Sequence, residues 1–125
     1  MQKNKKKQWE NIEGRVNLAG VQFSDYQRLD SKVLKPSLVL DLVGEPSNPN
    51  DRMAISVRHA GIKLGYIPRG TIHQSELWNS HRNGYKCIAV LTAFNKTNPT
   101  WSMITVQLKR HHKTPRVVVS DEVKM

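Results

Sequence analysis

Hydrophobic and polar residues alternate along most of the chain, and glycine, proline and asparagine interrupt the alternation at short intervals. From Gly14 to Phe23, Val16, Leu18, Gly20 and Gln22 share one face and Val21 and Phe23 the other, which predicts a first strand. Ser24 to Lys35 is polar and reads as a loop. Pro36 opens a second strand, Ser37 to Val43, with Leu38, Leu40 and Leu42 alternating against Val39, Asp41 and Val43. Apolar residues on both of its faces suit a central strand of a barrel. The loop from Glu45 to Asp51 contains two prolines and two asparagines and is rich in turn formers. Two alternating runs follow. Met53, Ile55 and Val57 oppose Ala54, Ser56 and Arg58; Ala60-Gly61 reverses the chain tightly; Ile62, Leu64 and Tyr66 then fall in phase until Pro68, which has no N–H for a sheet ladder. The pattern is a β-hairpin with a polar loop at one mouth and Arg69 at the other.

Thr71 to Arg82 is the helix candidate, with Thr71 as cap, an apolar face of Ile72, Leu77 and Trp78 with Ser75, and Asn83-Gly84 as stop. Tyr85 to Phe94 is a long apolar strand, Asn95 to Thr100 a turn, and Trp101 to Leu108 the returning partner. Val117 to Val119 adds one more β-like run, and Asp121 to Lys124 reads as frayed chain. These elements predict a mainly β fold: a small OB-like barrel of five or six strands with an inserted helix. Residues 1–13 would be a basic flexible arm, 14–109 the barrel and 110–125 a basic tail with room for one further short strand.

Charge sharpens the picture. Among 125 residues, 20 Lys and Arg face 10 Asp and Glu, a formal charge of +10 and an isoelectric point near 10.1. Lys3, Lys5, Lys6 and Lys7 crowd the arm, and Lys109, Arg110, Lys113 and Arg116 crowd the tail beside His111-His112. The body between Arg15 and Leu108 still has eleven basic and six acidic residues. A basic body, more than basic tails, points to an anionic partner such as nucleic acid. The tails would raise affinity without setting specificity, because phosphates carry little sequence information.

Catalysis needs a nucleophile, an acid–base pair or a metal placed to converge. No Gly-rich phosphate loop, G-x-S-x-G or H-E-x-x-H occurs. His111-His112 would point to opposite faces of a strand, and the single Cys87 sits in an apolar run as a core side chain. The chain therefore reads as non-catalytic, with no cofactor, no metal and no membrane span, in a reducing cytoplasmic compartment.

The order E-P-x-N-P-x-D, A-I-x-V and G-x-x-L-G-Y-I-P-R between Glu45 and Arg69, with Leu18-Ala19-Gly20-Val21-Gln22-Phe23 upstream, resembles the HIRAN domain. The resemblance covers roughly Val16 to Val90. This module occurs in fork-remodelling DNA translocases and as free-standing bacterial or phage proteins. It implies an OB-related barrel that binds DNA, in its best-understood members the 3′ end of a single strand, with roles in repair, replication or mobile elements.

By that resemblance, Phe23 and Gln22 match the stacking aromatic and its basic neighbour, and Asn48 and Asp51 match loop positions that hold a terminal nucleotide. Asp51 would accept a hydrogen bond from a 3′-hydroxyl, and Tyr66 and Arg69 would form the groove wall and a phosphate contact. Asn50 stands where the family has an aromatic, and Gln22 where eukaryotic members have arginine. Read from the residues alone, Phe23 and Tyr66 serve equally as barrel core, and Asp51 as a turn-capping carboxylate. The competing function is a protein-interaction or inhibitor module aimed at a DNA-processing enzyme, with Trp78 and Trp101 as exposed anchors.

Overall fold

The computed structural model describes residues 9–112 and 122–125. Seven strands build one antiparallel sheet: β1 Glu10–Asn17, β2 Val39–Gly44, β3 Ile55–His59, β4 Ile62–Tyr66, β5 Tyr85–Phe94, β6 Ile104–His112 and β7 Val123–Lys124. They lie in the order β1-β6-β5-β2-β3-β4, with β7 paired to β2. Irregularities in register interrupt β1–β6, β5–β6 and β3–β4, and such bulges bend and twist a sheet. The bending brings the ends of the sheet together. Among the described residues no full strand pair closes it; instead Ala19 and Tyr66 exchange two backbone hydrogen bonds of 2.8 Å, and Leu18 N–H donates to the Ile104 carbonyl.

The β3–β4 hairpin forms as the sequence predicts. His59 pairs with Ile62, and both residues between them have positive φ, Ala60 at 50° and Gly61 at 80°. That turn matches the right-handed twist of the strands it joins. The core side chains come from alternating positions: Leu40 and Leu42, Ile55 and Val57, Leu64, then Ile104, Val106 and Leu108, all essentially inaccessible.

The helix α1, Ile72–Arg82, packs on β5 and starts at the expected cap, where Thr71 Oγ1 accepts the Gln74 N–H. Its buried face differs from the expected one. Ile72 is 78% exposed, while Gln74, Leu77, Trp78 and Ser80 are buried. Gln74 can face inward because both ends of its amide find partners: it donates to the Met53 carbonyl and accepts from Gly70 N–H.

Four further expectations are corrected. The first strand begins earlier, at Glu10, and Gly20, left-handed at φ 68°, turns the chain into a 3₁₀ turn over Val21–Phe23. Met53 precedes β3 in a turn closed by Ala54 N–H to the Asp51 carbonyl. Trp101 lies not in a strand but in a 3₁₀ turn, Thr100–Ser102, closed by Ser102 N–H on the Pro99 carbonyl. The segment read as frayed carries β7: Val123 and Met125 are buried, Met125 N–H donates to Leu42 and its carbonyl accepts from Cys87. His111 and His112 extend β6, and the Trp9 and His111 rings meet at 5.1 Å. The run Val117 to Val119 lies outside the described residues.

Candidate nucleic-acid interface

The loop between β2 and β3 holds its shape through its own side chains. Asn48 Oδ1 accepts the N–H groups of Asn50 and Asp51, at 2.9 and 3.3 Å. Asp51 Oδ1 accepts Met53 N–H at 2.9 Å, so the turn-capping reading of this carboxylate holds. Its other oxygen, Oδ2, accepts Gln74 Nε2 at 2.9 Å. Gln74 therefore fastens the loop to the helix, and through Gly70 N–H it fastens the segment carrying Arg69 as well. The Asn50 side chain is exposed.

At the base of the loop sits a residue the sequence reading did not single out. Glu45 is buried, and its carboxylate takes hydrogen bonds from Asn48 Nδ2 (3.0 Å), Tyr66 Oη (2.8 Å) and Arg58 Nη2 (2.9 Å), with Lys63 Nζ at 3.0 Å. Burial alone would raise its pKa. The bonds from Asn48, Lys63, Tyr66 and Arg58 outweigh that and bring it down to about 2. Arg58 also holds Glu122 at 2.9 Å, the hydrogen bond that does most to raise the guanidinium's pKa. Lys63 donates to Tyr66 Oη at 2.8 Å and lies 4.9 Å from the ring centroid. Burial opposes the lysine's charge, but the bonds to Tyr66 and Glu45 prevail and raise its pKa. No local pattern marks Glu45, because apart from Asn48 its partners come from β3 and β4.

This cluster fixes the side chain of Tyr66. Its hydroxyl is engaged by Glu45 and Lys63, and its ring edge lies beside Gly20, where an added Cβ would stand 3.8 Å from Cδ1. The ring is half-buried, a wall between the loop and the turn that follows Gly20.

Phe23 is 86% exposed, so the core reading fails for it. The turn beneath it is well fastened. Ser24 Oγ donates to the Val21 carbonyl at 2.7 Å, and Asp25 N–H donates to Lys63 of β4. Gln22 and Arg69 are also exposed, and Arg69 makes no ion pair among the described residues. The fold links all seven expected residues. Gln22 and Phe23 adjoin Tyr66 through the Ala19 bridge, Tyr66 meets Asn48 at Glu45, Asn48 caps Asn50 and Asp51, and Gln74 joins Asp51 to the residue after Arg69.

Of the two tryptophans expected as exposed anchors, Trp78 is buried, with its Nε1 donating to the Met53 carbonyl at 2.8 Å. Trp101 is 71% exposed. Among the described residues no group of three or more His, Cys, Asp and Glu side chains is placed to hold a metal ion, and no helix is long and apolar enough to cross a membrane. Cys87 is buried, and burial pushes its thiol up to about 11.

The protein-family model of the HIRAN domain matches residues 13–101. Two solved structures share the fold. A crystal structure of a protein from Lactobacillus plantarum superposes with a TM-score of 0.64 at 19% identity, covering 86% of this chain and 99% of its own. The crystal structure of the HIRAN domain of human HLTF superposes with a TM-score of 0.50 at 17% identity, covering 78% of this chain and 71% of its own. No curated protein sequence matches the chain. The HIRAN domain is a DNA-binding family, and its domain is not itself catalytic. With the family pattern spanning most of its length, this chain belongs to the HIRAN domain family.

Proposed function

We propose that the protein binds single-stranded DNA across the surface of Gln22, Phe23, Tyr66, Asn48, Asn50, Asp51 and Arg69. The observation that carries the reading is Phe23: a large aromatic ring, almost wholly in solvent, mounted on a turn fastened at both ends. An exposed rigid ring costs solubility, and it offers a base a flat face that duplex DNA, with its bases already stacked, cannot use. Arg69 supplies a phosphate contact, and Tyr66 the wall. Asp51 receives the free 3′ end. Each of its oxygens accepts one protein hydrogen bond and keeps a second lone pair, which suits a terminal hydroxyl and repels a phosphate.

Fluorescence anisotropy tests this with short oligonucleotides ending in a 3′-hydroxyl or a 3′-phosphate, and with a blunt duplex. The hydroxyl-ended strand is expected to bind tightest, with affinity falling steeply as salt rises. Phe23→Ala weakens every single strand by roughly 1–3 kcal/mol, whereas Asp51→Ala removes the end preference. Equal binding of duplex and single strand by the parent protein would overturn the reading. A partner protein held at high salt, with no DNA affinity, would favour the interaction-module alternative.

A further inference from the structure

β2 pairs with β5 only over Val39 to Asp41, and beyond that point the two strands part. β7 fills the opening. Val43 and Gly44 pair with Lys124 and Val123, Met125 N–H donates to the Leu42 carbonyl, and Cys87 N–H of β5 donates to the Met125 carbonyl. Val123 and Met125 are buried there, while Glu122 and Lys124 stay exposed. β7 lies beyond residues 13–101, over which the family pattern runs, so that pattern assigns it no part in the site.

Two separate routes lead from this strand to the loop between β2 and β3. The first is polar. Glu122 accepts from Arg58 through both carboxylate oxygens, at 3.2 and 2.9 Å, and Arg58 Nη2 also donates to Glu45 at 2.9 Å. Glu45 accepts from Asn48 Nδ2, and Asn48 Oδ1 takes the Asn50 and Asp51 N–H groups. Arg58 is aimed from behind, since its Nε donates to Ser56 Oγ, which donates to the Val43 carbonyl. The second route is apolar. A Cβ added to Gly44 would stand 2.5 Å from Trp78 Cη2 and 3.3 Å from Met125 Cε, so both side chains lie over this glycine. Trp78 Nε1 in turn holds the carbonyl of Met53, two residues past Asp51, at 2.8 Å. A strand that only covered an edge would need neither connection.

We propose that β7 is a clamp on the end-reading loop: docked between β2 and β5, it holds Asn48 and Asp51 where a 3′ end is selected. Undocked, it leaves a chain that binds single strands without choosing their ends. The inference rests on the single-strand reading above and adds to it three positioning residues, Glu122, Val123 and Met125. The rest of the surface is held without β7. Ser24 and the bond from Asp25 to Lys63 fix the Phe23 turn, and Gln74 fixes Gly70 beside Arg69. A strand of two residues is a small unit, of the kind that opens locally without global unfolding. The Arg58–Glu122 pair alone would carry little, because the Glu122 side chain is 54% exposed and exposed pairs contribute little. Its convergence on one loop with the Met125 and Trp78 contact carries the inference.

Amide hydrogen exchange and anisotropy on the full chain test it. Val123→Asp puts a carboxylate in a buried position and should release β7, seen as faster exchange at Cys87 N–H. Glu45 and Ala54 N–H, which close the base of the loop, should then exchange about fivefold faster or more. Leu18 and Asn95 N–H, bonded to Ile104 and Met103, should not change. The preference for a 3′-hydroxyl over a 3′-phosphate should fall about fivefold, to near parity, with affinity for the phosphate-ended strand held within about twofold. Glu122→Gln should cost about twofold in preference, and Val123→Ile should behave as the parent. If Val123→Asp loses protection at Leu18 and Asn95 as well, Met125→Ala, which removes one side chain and no backbone bond, reads the same ratio. Release of β7 with Glu45 and Ala54 still protected refutes the clamp and leaves the end reading standing. An equal loss of affinity for both strands also refutes it, being the mark of lost stability alone. A parent with no end preference overturns the end reading, and exchange at Glu45 and Ala54 then decides the clamp by itself.

Discussion

Replacing Glu45 with glutamine tests how the loop is held. The substitution keeps shape and one acceptor but removes the charge that faces Arg58 and Lys63. The magnitude follows from linkage. The carboxyl falls from 4.5 to about 2 on folding, and at about 1.4 kcal/mol per pH unit that is about 3 kcal/mol of stabilisation at neutral pH. The size agrees with the roughly 3–5 kcal/mol lost when one member of a buried ion pair is removed. Because the folded pKa is the lower one, the contribution is complete above about 4.5 and is lost as pH falls toward about 2. Urea unfolding of parent and Glu45→Gln, followed by circular dichroism at several pH values, reads this directly. The gap should be about 3 kcal/mol at pH 7, roughly half that at pH 3, and close to nothing once Glu45 is protonated. A gap below about 1 kcal/mol at pH 7, or one that does not shrink in acid, would refute the reasoning and reduce the cluster to a solvated surface network.

Arg69→Ala should weaken binding to all single strands alike and make the log–log salt slope shallower by about 1, as read by anisotropy across a salt series. Gly65→Ala places a Cβ 2.8 Å from the Ala19 carbonyl oxygen and 3.0 Å from Leu18 Cβ, where backbone must move. It should cost roughly 1–3 kcal/mol in thermal unfolding and weaken DNA binding, since the Ala19–Tyr66 bridge sets the Phe23 turn beside Tyr66. Cys87, buried and with its thiol raised to about 11, should resist a thiol reagent at pH 8 until denaturant is added.

Much of the fold is written locally. The Ala60-Gly61 reversal, the run Tyr85–Phe94 and the Thr71 cap each depend on residues adjacent in sequence, so their patterns could be read without tertiary information. The seven site residues were picked out by family resemblance rather than periodicity, and alternation alone put Phe23 into a strand. Gly20, by adopting φ 68°, ended that pattern and turned the ring outward. Alternation likewise put Trp101 into a strand, whereas a 3₁₀ turn after Pro99 delays the strand to Ile104.

Polar burial was decided by the tertiary structure alone. Gln74 took an inward position that apolar periodicity assigns to other residues, because Met53, Asp51 and Gly70 satisfy its amide. Glu45 looked like an ordinary loop carboxylate until Arg58, Lys63 and Tyr66 converged on it from the hairpin, and Glu122 joined Arg58 from the far end of the chain. Periodicity reports which side of an element a residue faces. Whether a charge can remain there depends on partners 13 to 64 residues away, and those meet only when the sheet has curled.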